Sequence, residues 1–333
     1  MDFQPTLAYH FAHLPNSRRK ATFSSPYHVG HVIHPNPNVT FESINGKESE
    51  YHTDPHGWYM SLKLNGIRGI WSCDKSTMKS RTISEIQSNR SIALPSWISQ
   101  ILPTAEDQVE FEHVWLDGEL YLGRHRFYEM LPILNHLKAK SKMWSEITYV
   151  LFDCYDAKHP DMPFSERLTK LKSIHEFIQS QWNEYGKLNP EWVNKPCPVI
   201  YHEQTMIKSW TTAHQIFQKW VIAGEEGAIL KKGDEPYHQK RSWNMLKWKP
   251  LHYRNAKIIG HLLHDDHKLK SLQCCWEDDT KTKFSVSGGL NSKNRKQYEE
   301  EFPLQSIIPI TFYEMTENNK PVSAVINPIY FQK

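Results

Sequence analysis

No stretch of this 333-residue chain approaches the roughly 18 consecutive apolar residues of a membrane-spanning helix, so no span is expected. The first twenty residues lack a continuous apolar run, so no secretory signal is expected either. The five cysteines, Cys73, Cys154, Cys197, Cys274 and Cys275, form no CxxC pair. An odd, scattered set points to reduced thiols inside a cell, with cytoplasm, nucleus and organelle left open. The 19 histidines show no metal-ligand spacing, so no zinc site is expected. Bulk positive charge is also missing. The formal net charge is +3, so a nucleic-acid surface must come from local clusters. Acids are nearly absent at the start, where Asp2 stands alone up to Phe41 against Arg18, Arg19 and Lys20. Residues 1–50 therefore read as a partly ordered arm: a poorly ordered extension, a transit peptide or a DNA-contacting tail.

What is present is core material, with 12 Trp, 15 Tyr and 14 Phe. "GWYMSLKLNGIRGIWSC" predicts strands with tight turns, and "TYVLFDCYD" (148–156) a buried strand. Leu168, Leu171, Ile174, Phe177 and Ile178 recur at helical spacing, which predicts a helix over 164–182 with Ser165 as its N-cap. A second helix is expected over 211–224, with Ile216, Phe217 and Trp220 on one face and Gly224 closing it. "EGAILKKG" and "NMLKWKP" read as strands. After Pro250 the pattern changes to short strands such as "AKIIGHLL", "LQCCWED" and "KFSVSG", which suggest a small β-barrel. The expected division is an arm at 1–50, an α+β domain of antiparallel sheets and helices at 51–250, and the barrel at 251–333.

Five stretches then matter together: "KLNG" (63–66), "LDGELY" (116–121), "YVLFD" (149–153), "EEGAIL" (225–230) and "LKWK" (246–249). Taken singly each is weak. "LDGE" could be a hairpin turn, and "LKWK" an edge strand whose lysines discourage aggregation. In order they supply one lysine, two glutamates, an aromatic ring and two lysines on one strand face. That set suits nucleotidyl transfer through a covalent lysyl-nucleotide.

The order and spacing resemble the covalent nucleotidyltransferases, and most closely the minimal ATP-dependent DNA ligases. "KLNGIRGIW", "MKSRT", "PSWISQILP" and "MWSEITYVLFD" carry the likeness, as does "FSVSGGLNSKNRKQYEEEFPLQSIIPITFYEMT", which is similar to the OB-fold domain of those enzymes. The resemblance implies an adenylation domain followed by an OB-fold barrel, ATP and Mg²⁺ as cofactors, and nicked duplex DNA as partner, handled by a monomer away from membranes. It implies Lys63 as the nucleophile on the α-phosphate, with Lys247 and Lys249 supplying positive charge there. Glu119 matches the carboxylate on the ribose, Glu226 the one that holds the metal and the lysine, and Phe152 the ring on adenine. Ser61 and Leu62 fall beside the adenine edge. Arg68 and Arg241 match residues that grip nucleotide phosphate, and Arg81 one that grips DNA phosphate. Lys293, Arg295 and Lys296 are candidate DNA contacts, and the basic residues of 231–249 and 281–296 are a wider set of candidates for the same grip.

Two departures keep rivals open. Asn65 stands where DNA ligases carry Asp, a substitution compatible with an RNA or RNA–DNA ligase. The tail "KPVSAVINPIYFQK" has no basic residue after Lys320 until Lys333 to orient the leaving pyrophosphate, which suits slow self-adenylylation or a non-catalytic nick-binding protein.

Overall fold

The structure, a computed structural model, describes residues 7–10, 57–80, 91–124, 126–130, 142–250, 252–316 and 318–327. Most of the expected N-terminal arm, Arg81 and the last six residues lie outside these. The strands in chain order are β1 (Leu7–His10), β2 (Trp58–Leu62), β3 (Ile67–Ser72), β4 (Thr77–Ser80), β5 (Ser91–Ile92), β6 (Val114–Tyr121), β7 (Thr148–Asp156), β8 (Val199–Tyr201) and β9 (Thr205–Met206). They continue as β10 (Ala228–Lys232), β11 (Arg241–Trp248), β12 (His252–Leu263), β13 (Leu269–Trp276), β14 (Lys283–Val286), β15 (Ile307–Phe312), β16 (Glu314–Met315), β17 (Pro321–Val322) and β18 (Val325–Ile326). The helices are α1 (Ser96–Ser99), α2 (Phe164–Leu188), α3 (Trp210–Ile222), α4 (Ser292–Lys296) and α5 (Tyr298–Glu301). No helix among the described residues is long and apolar enough to cross a membrane. Two compact units divide the described chain between Trp248 and Lys249.

The first unit holds two sheets. One has the order β1-β11-β10-β2-β9 and the other β5-β4-β3-β6-β7-β8. Helix α2 lies on the second sheet because its apolar stripe, Leu168, Leu171, Ile174 and Ile178, is buried every three or four residues. Each such side chain contributes about 1.5–3 kcal/mol through burial. The helix runs past the expected end at 182 to Leu188, and its N-cap is Pro163, not Ser165. Ser165 sits inside the first turn, where its N–H reaches Gly233 O at 2.9 Å instead of starting the helix. Helix α3 is capped by Ser209, whose Oγ accepts from Thr212 N, and Gly224 beyond its end takes φ +82°. Phe217 of α3 stacks on Trp248 at 4.3 Å and fixes the end of β11.

Register decides what meets across the first sheet. Ile229 of β10 pairs with Ser61 of β2 on one side and Lys247 of β11 on the other. Strand β1 adds in parallel to the far side of β11, with His10 opposite Lys247.

The second unit is an antiparallel sheet of order β14-β13-β12-β15-β18 over a core that includes Cys274, Trp276, Phe302, Ile308, Ile310 and Phe312. A bridge between Gly288, just after β14, and Val325 of β18 joins the two edge strands. Cys274 and Cys275 are buried strand residues, and all five cysteines are free thiols.

Candidate active site

Strand β2 ends at Leu62 and delivers Lys63 at the mouth of the first sheet. The Lys63 N–H donates to Gly227 O at 2.9 Å, which pins the residue after the regular ladder stops. Its ammonium donates to Glu226 Oε2 at 2.6 Å and to Leu64 O at 3.3 Å. Both side chains are largely enclosed, at 21% and 12% exposure, so solvent screens the pair less than a surface one. The Leu62 carbonyl accepts from His202 Nε2 at 2.8 Å.

Glycine at position 66 is a steric necessity. A Cβ there would sit 2.2 Å from Leu120 O and 2.7 Å from Glu119 Cγ. That closeness lets Gly66 N–H donate to Glu119 Oε1 at 3.2 Å. Glu119 keeps some accessible surface, but its carboxyl is walled in. Burial pushes its pKa up to about 7, against the opposing pull of Lys63 and Arg68.

Arg68 lies opposite Glu119 in the β3–β6 register. Its guanidinium forms a fork on Asp117, Nε to Oδ1 at 2.8 Å and a terminal nitrogen to Oδ2 at 2.5 Å. The Tyr237 hydroxyl donates to the same carboxylate at 2.7 Å. Burial works against the Arg68 charge, yet Asp117 outweighs it and holds the pKa above its ordinary value.

Phe152 has a special backbone position. Asp117 pairs with Asp153 and Gly118 with Leu151, so Phe152 is the extra residue of a β-bulge. A bulge turns its side chain away from the regular pleat. The Arg68 guanidinium carbon lies 5.5 Å from the ring centroid and Lys231 Nζ 4.8 Å from it. Lys231 also donates to Asp153 Oδ2 at 3.0 Å, and Arg167 holds the same carboxylate at 2.8 Å and 3.2 Å. This three-residue cluster joins β10 of one sheet to β7 of the other and to α2.

The structure thus brings Lys63, Arg68, Glu119, Phe152 and Glu226 together, with Ser61 and Leu62 on the adjoining strand and Lys247 one strand beyond Ile229. Lys249 begins the second unit. Arg241 opens β11. Lys293 and Lys296 are exposed on α4, which Asn291 caps. Arg295 differs, since its guanidinium donates to Leu269 O at 2.6 Å and Lys270 O at 2.9 Å and so ties α4 to β13. Lys231 corrects the wider expectation for 231–249. It is only 5% exposed and cannot meet a nucleic acid.

The sequence reading missed Asp117, Asp153, Arg167, Lys231 and Tyr237. Three of them stand inside the stretches "LDGELY", "YVLFD" and "EGAILKKG". No local pattern says that a charge is buried, because its partner is far along the chain.

An enclosed lysine beside two carboxylates, a guanidinium fork and a bulge-borne ring is equipped to hold a nucleotide against an amine. Comparison with known proteins agrees. The family model described as ATP dependent DNA ligase domain matches residues 42–249. A DNA ligase of Haemophilus influenzae is 26% identical over 281 residues, spanning 81% of this chain and 86% of that protein. Among solved structures, a Lig E DNA ligase superposes with a TM-score of 0.62 at 22% identity, over 82% of this chain and 93% of that one. Another, Pmar-Lig_Pre, gives 0.61 at 14% identity over 98% and 66%. The matched family region contains Lys63, Glu119, Phe152, Glu226, Lys247 and Lys249. The chain belongs to the ATP-dependent DNA ligases, and it is an enzyme that uses ATP to seal nicks in DNA through a lysyl-AMP intermediate.

Proposed function

We propose that Lys63 is the residue that carries AMP, and that the side chains around it divide the work of loading it. The observation that carries this is the Lys63–Glu226 contact at 2.6 Å, set beside Glu119 and the Phe152 ring. The Lys63 ammonium passes a proton to Glu226, the free amine attacks the α-phosphorus of ATP, a P–N bond forms, and the bond to pyrophosphate breaks, the pyrophosphate leaving. Glu119 accepts from the ribose. Phe152 stacks on adenine, with Ser61 and Leu62 along the base edge. Arg68 is held ready by Asp117 to meet phosphate, and Arg241 serves the same end. Lys247 and Lys249 stabilise the charge that develops on the α-phosphate, which is where phosphoryl-type transfer gains most.

The donor set fits Mg²⁺. Among the described residues no three His, Cys, Asp or Glu side chains form a metal-holding group. Mg²⁺ is held by one or two carboxylates together with substrate phosphates, and Glu226 is such a carboxylate. When bound, the ion neutralises phosphate charge. Glu226 also holds the Lys63 ammonium in place.

The second unit reads as an OB-fold barrel, supported by the Gly288–Val325 bridge between the edge strands of its sheet. Arg81, Lys293 and Lys296 face DNA in this reading, with Arg295 anchoring their helix. The preferred partner is a nicked duplex, bound by a monomer in a reducing, intracellular compartment.

Incubation with radiolabelled ATP, and separately GTP, followed by nicked DNA or nicked RNA, tests the reading. The expected result is an acid-labile AMP adduct on Lys63 and sealing of nicked DNA. Labelling of Lys63→Ala with ATP would overturn the assignment. Preferential sealing of nicked RNA would move the substrate, as Asn65 allows.

A further inference from the structure

Lys231 is a costly residue to bury. It is 5% exposed, and burial lowers its pKa against the pull of Asp153. A methionine or leucine would fill the same strand position without that cost. Its geometry suggests why a lysine stands there. The ammonium lies 4.8 Å from the Phe152 centroid and 4.7 Å from that of Phe164, and reaches Phe152 O at 3.4 Å and Asp153 Oδ2 at 3.0 Å.

Phe152 needs an external support. As the bulge residue it has no paired partner across the β6–β7 ladder, so the ladder does not fix its tilt. Lys231 reaches it from the other sheet. One ammonium holds the bulge carbonyl, the neighbouring carboxylate and the π-cloud together. A cation against one part of a ring also draws electron density from it, and an electron-poor ring stacks better on an electron-rich purine.

We infer that Lys231 is a positioning residue for ATP recognition, which sets the tilt and electron density of the Phe152 ring from the opposite sheet. This rests on the proposed stacking of Phe152 on adenine. Lys231 touches no substrate itself and acts only through the ring.

The test is a double-mutant cycle on self-adenylylation, with rate followed against ATP concentration and each variant's melting checked. Phe152→Leu should raise KM for ATP. Lys231→Met should raise it about tenfold, with the rate at saturating ATP within about twofold of the parent. Lys231→Arg, which keeps the cation, should stay within about threefold of the parent. In the Phe152→Leu background, Lys231→Met should add nothing further to KM. Should Lys231→Met fail to fold, Lys231→Gln supplies the neutral arm, because it can still hydrogen-bond Phe152 O and Asp153. A KM unchanged by Phe152→Leu would overturn the stacking reading and this inference with it. A KM raised by Phe152→Leu but untouched by the neutral Lys231 variants, or raised by both additively, would overturn the inference alone. Loss of rate at saturating ATP with unchanged KM would also overturn it.

Discussion

Replacing Asp153 with Asn leaves Arg167 and Lys231, at 5% and 7% side-chain exposure, without the carboxylate they share. Removing one partner of a buried ion pair costs about 3–5 kcal/mol, because the remaining charge stays desolvated. For a unit of this size that converts to a fall in melting temperature of about 6–20 °C. Burial alone would raise the Asp153 pKa, but Arg167 and Lys231 outweigh it and hold the group below the usual carboxylate range. A depressed folded-state pKa contributes stability that is present above the unfolded value and is lost as pH falls through the folded one. The gap between parent and Asp153→Asn should therefore be full at neutral pH and shrink once pH drops below about 4. The assay is thermal unfolding of the full chain by circular dichroism across that pH range. Adding Lys231→Met to Asp153→Asn removes one orphaned cation and should recover part of the loss. A loss smaller than about 1 kcal/mol at neutral pH, or a gap independent of pH, would refute the reasoning.

Four further outcomes are expected. Glu119 carries a pKa raised to about 7 from an ordinary 4.5, so its carboxylate form, and with it the self-adenylylation rate, should grow as pH rises through 7. Glu119→Gln should lack that inflection in the pH–rate profile, while the stability of the parent tied to protonated Glu119 should be full below 4.5 and fall as pH rises from 4.5 to about 7. Gly66→Ala should abolish or sharply reduce adenylylation in a labelling assay, since its Cβ would collide with Leu120 O and displace Glu119. Asn65→Asp should keep or raise labelling, as Asn65 is exposed and its side chain can take the charge. Lys293→Ala with Lys296→Ala should weaken nicked-duplex binding and reduce the salt slope by up to about 0.9 for each phosphate no longer neutralised, whereas Arg295→Ala should lower the melting temperature.

Where the chain declares itself is uneven. Strand β7 matches "TYVLFDCYD" from Thr148 to Asp156, because the run is too short for a helix and rich in aromatic and β-branched residues. The catalytic lysine and its two glutamates are legible only as a set, through order and spacing along the chain. Helix α2 shows itself by its stripe, but its start does not. Ser165 is a good cap by type, yet a tertiary hydrogen bond to Gly233 engages its N–H and Pro163 begins the turn. The buried cluster of Asp153, Arg167 and Lys231 is hidden for a different reason. "LKKG" looks like a polar strand end, and only the fold that sets β10 across from β7 shows that the first of its lysines points inward. Arg295 shows the converse. A basic run reads as uniform in sequence, while one of its members is committed to carbonyls of β13.

The pairing of β1 with β11 sets an order of events during synthesis. These strands stand side by side in the sheet, yet more than two hundred residues separate them along the chain. Lys63 waits in the same way for Glu226, which lies 163 residues downstream. Neither contact can form until the ribosome has released nearly the whole first unit. Such long-range closure slows folding and leaves β2 and β10 with open edges in the interval. A nascent chain stalled before residue 226 should therefore be protease-sensitive around Lys63 and unable to take up AMP. One extended past 248, with room to clear the exit tunnel, should gain protection in a single cooperative step.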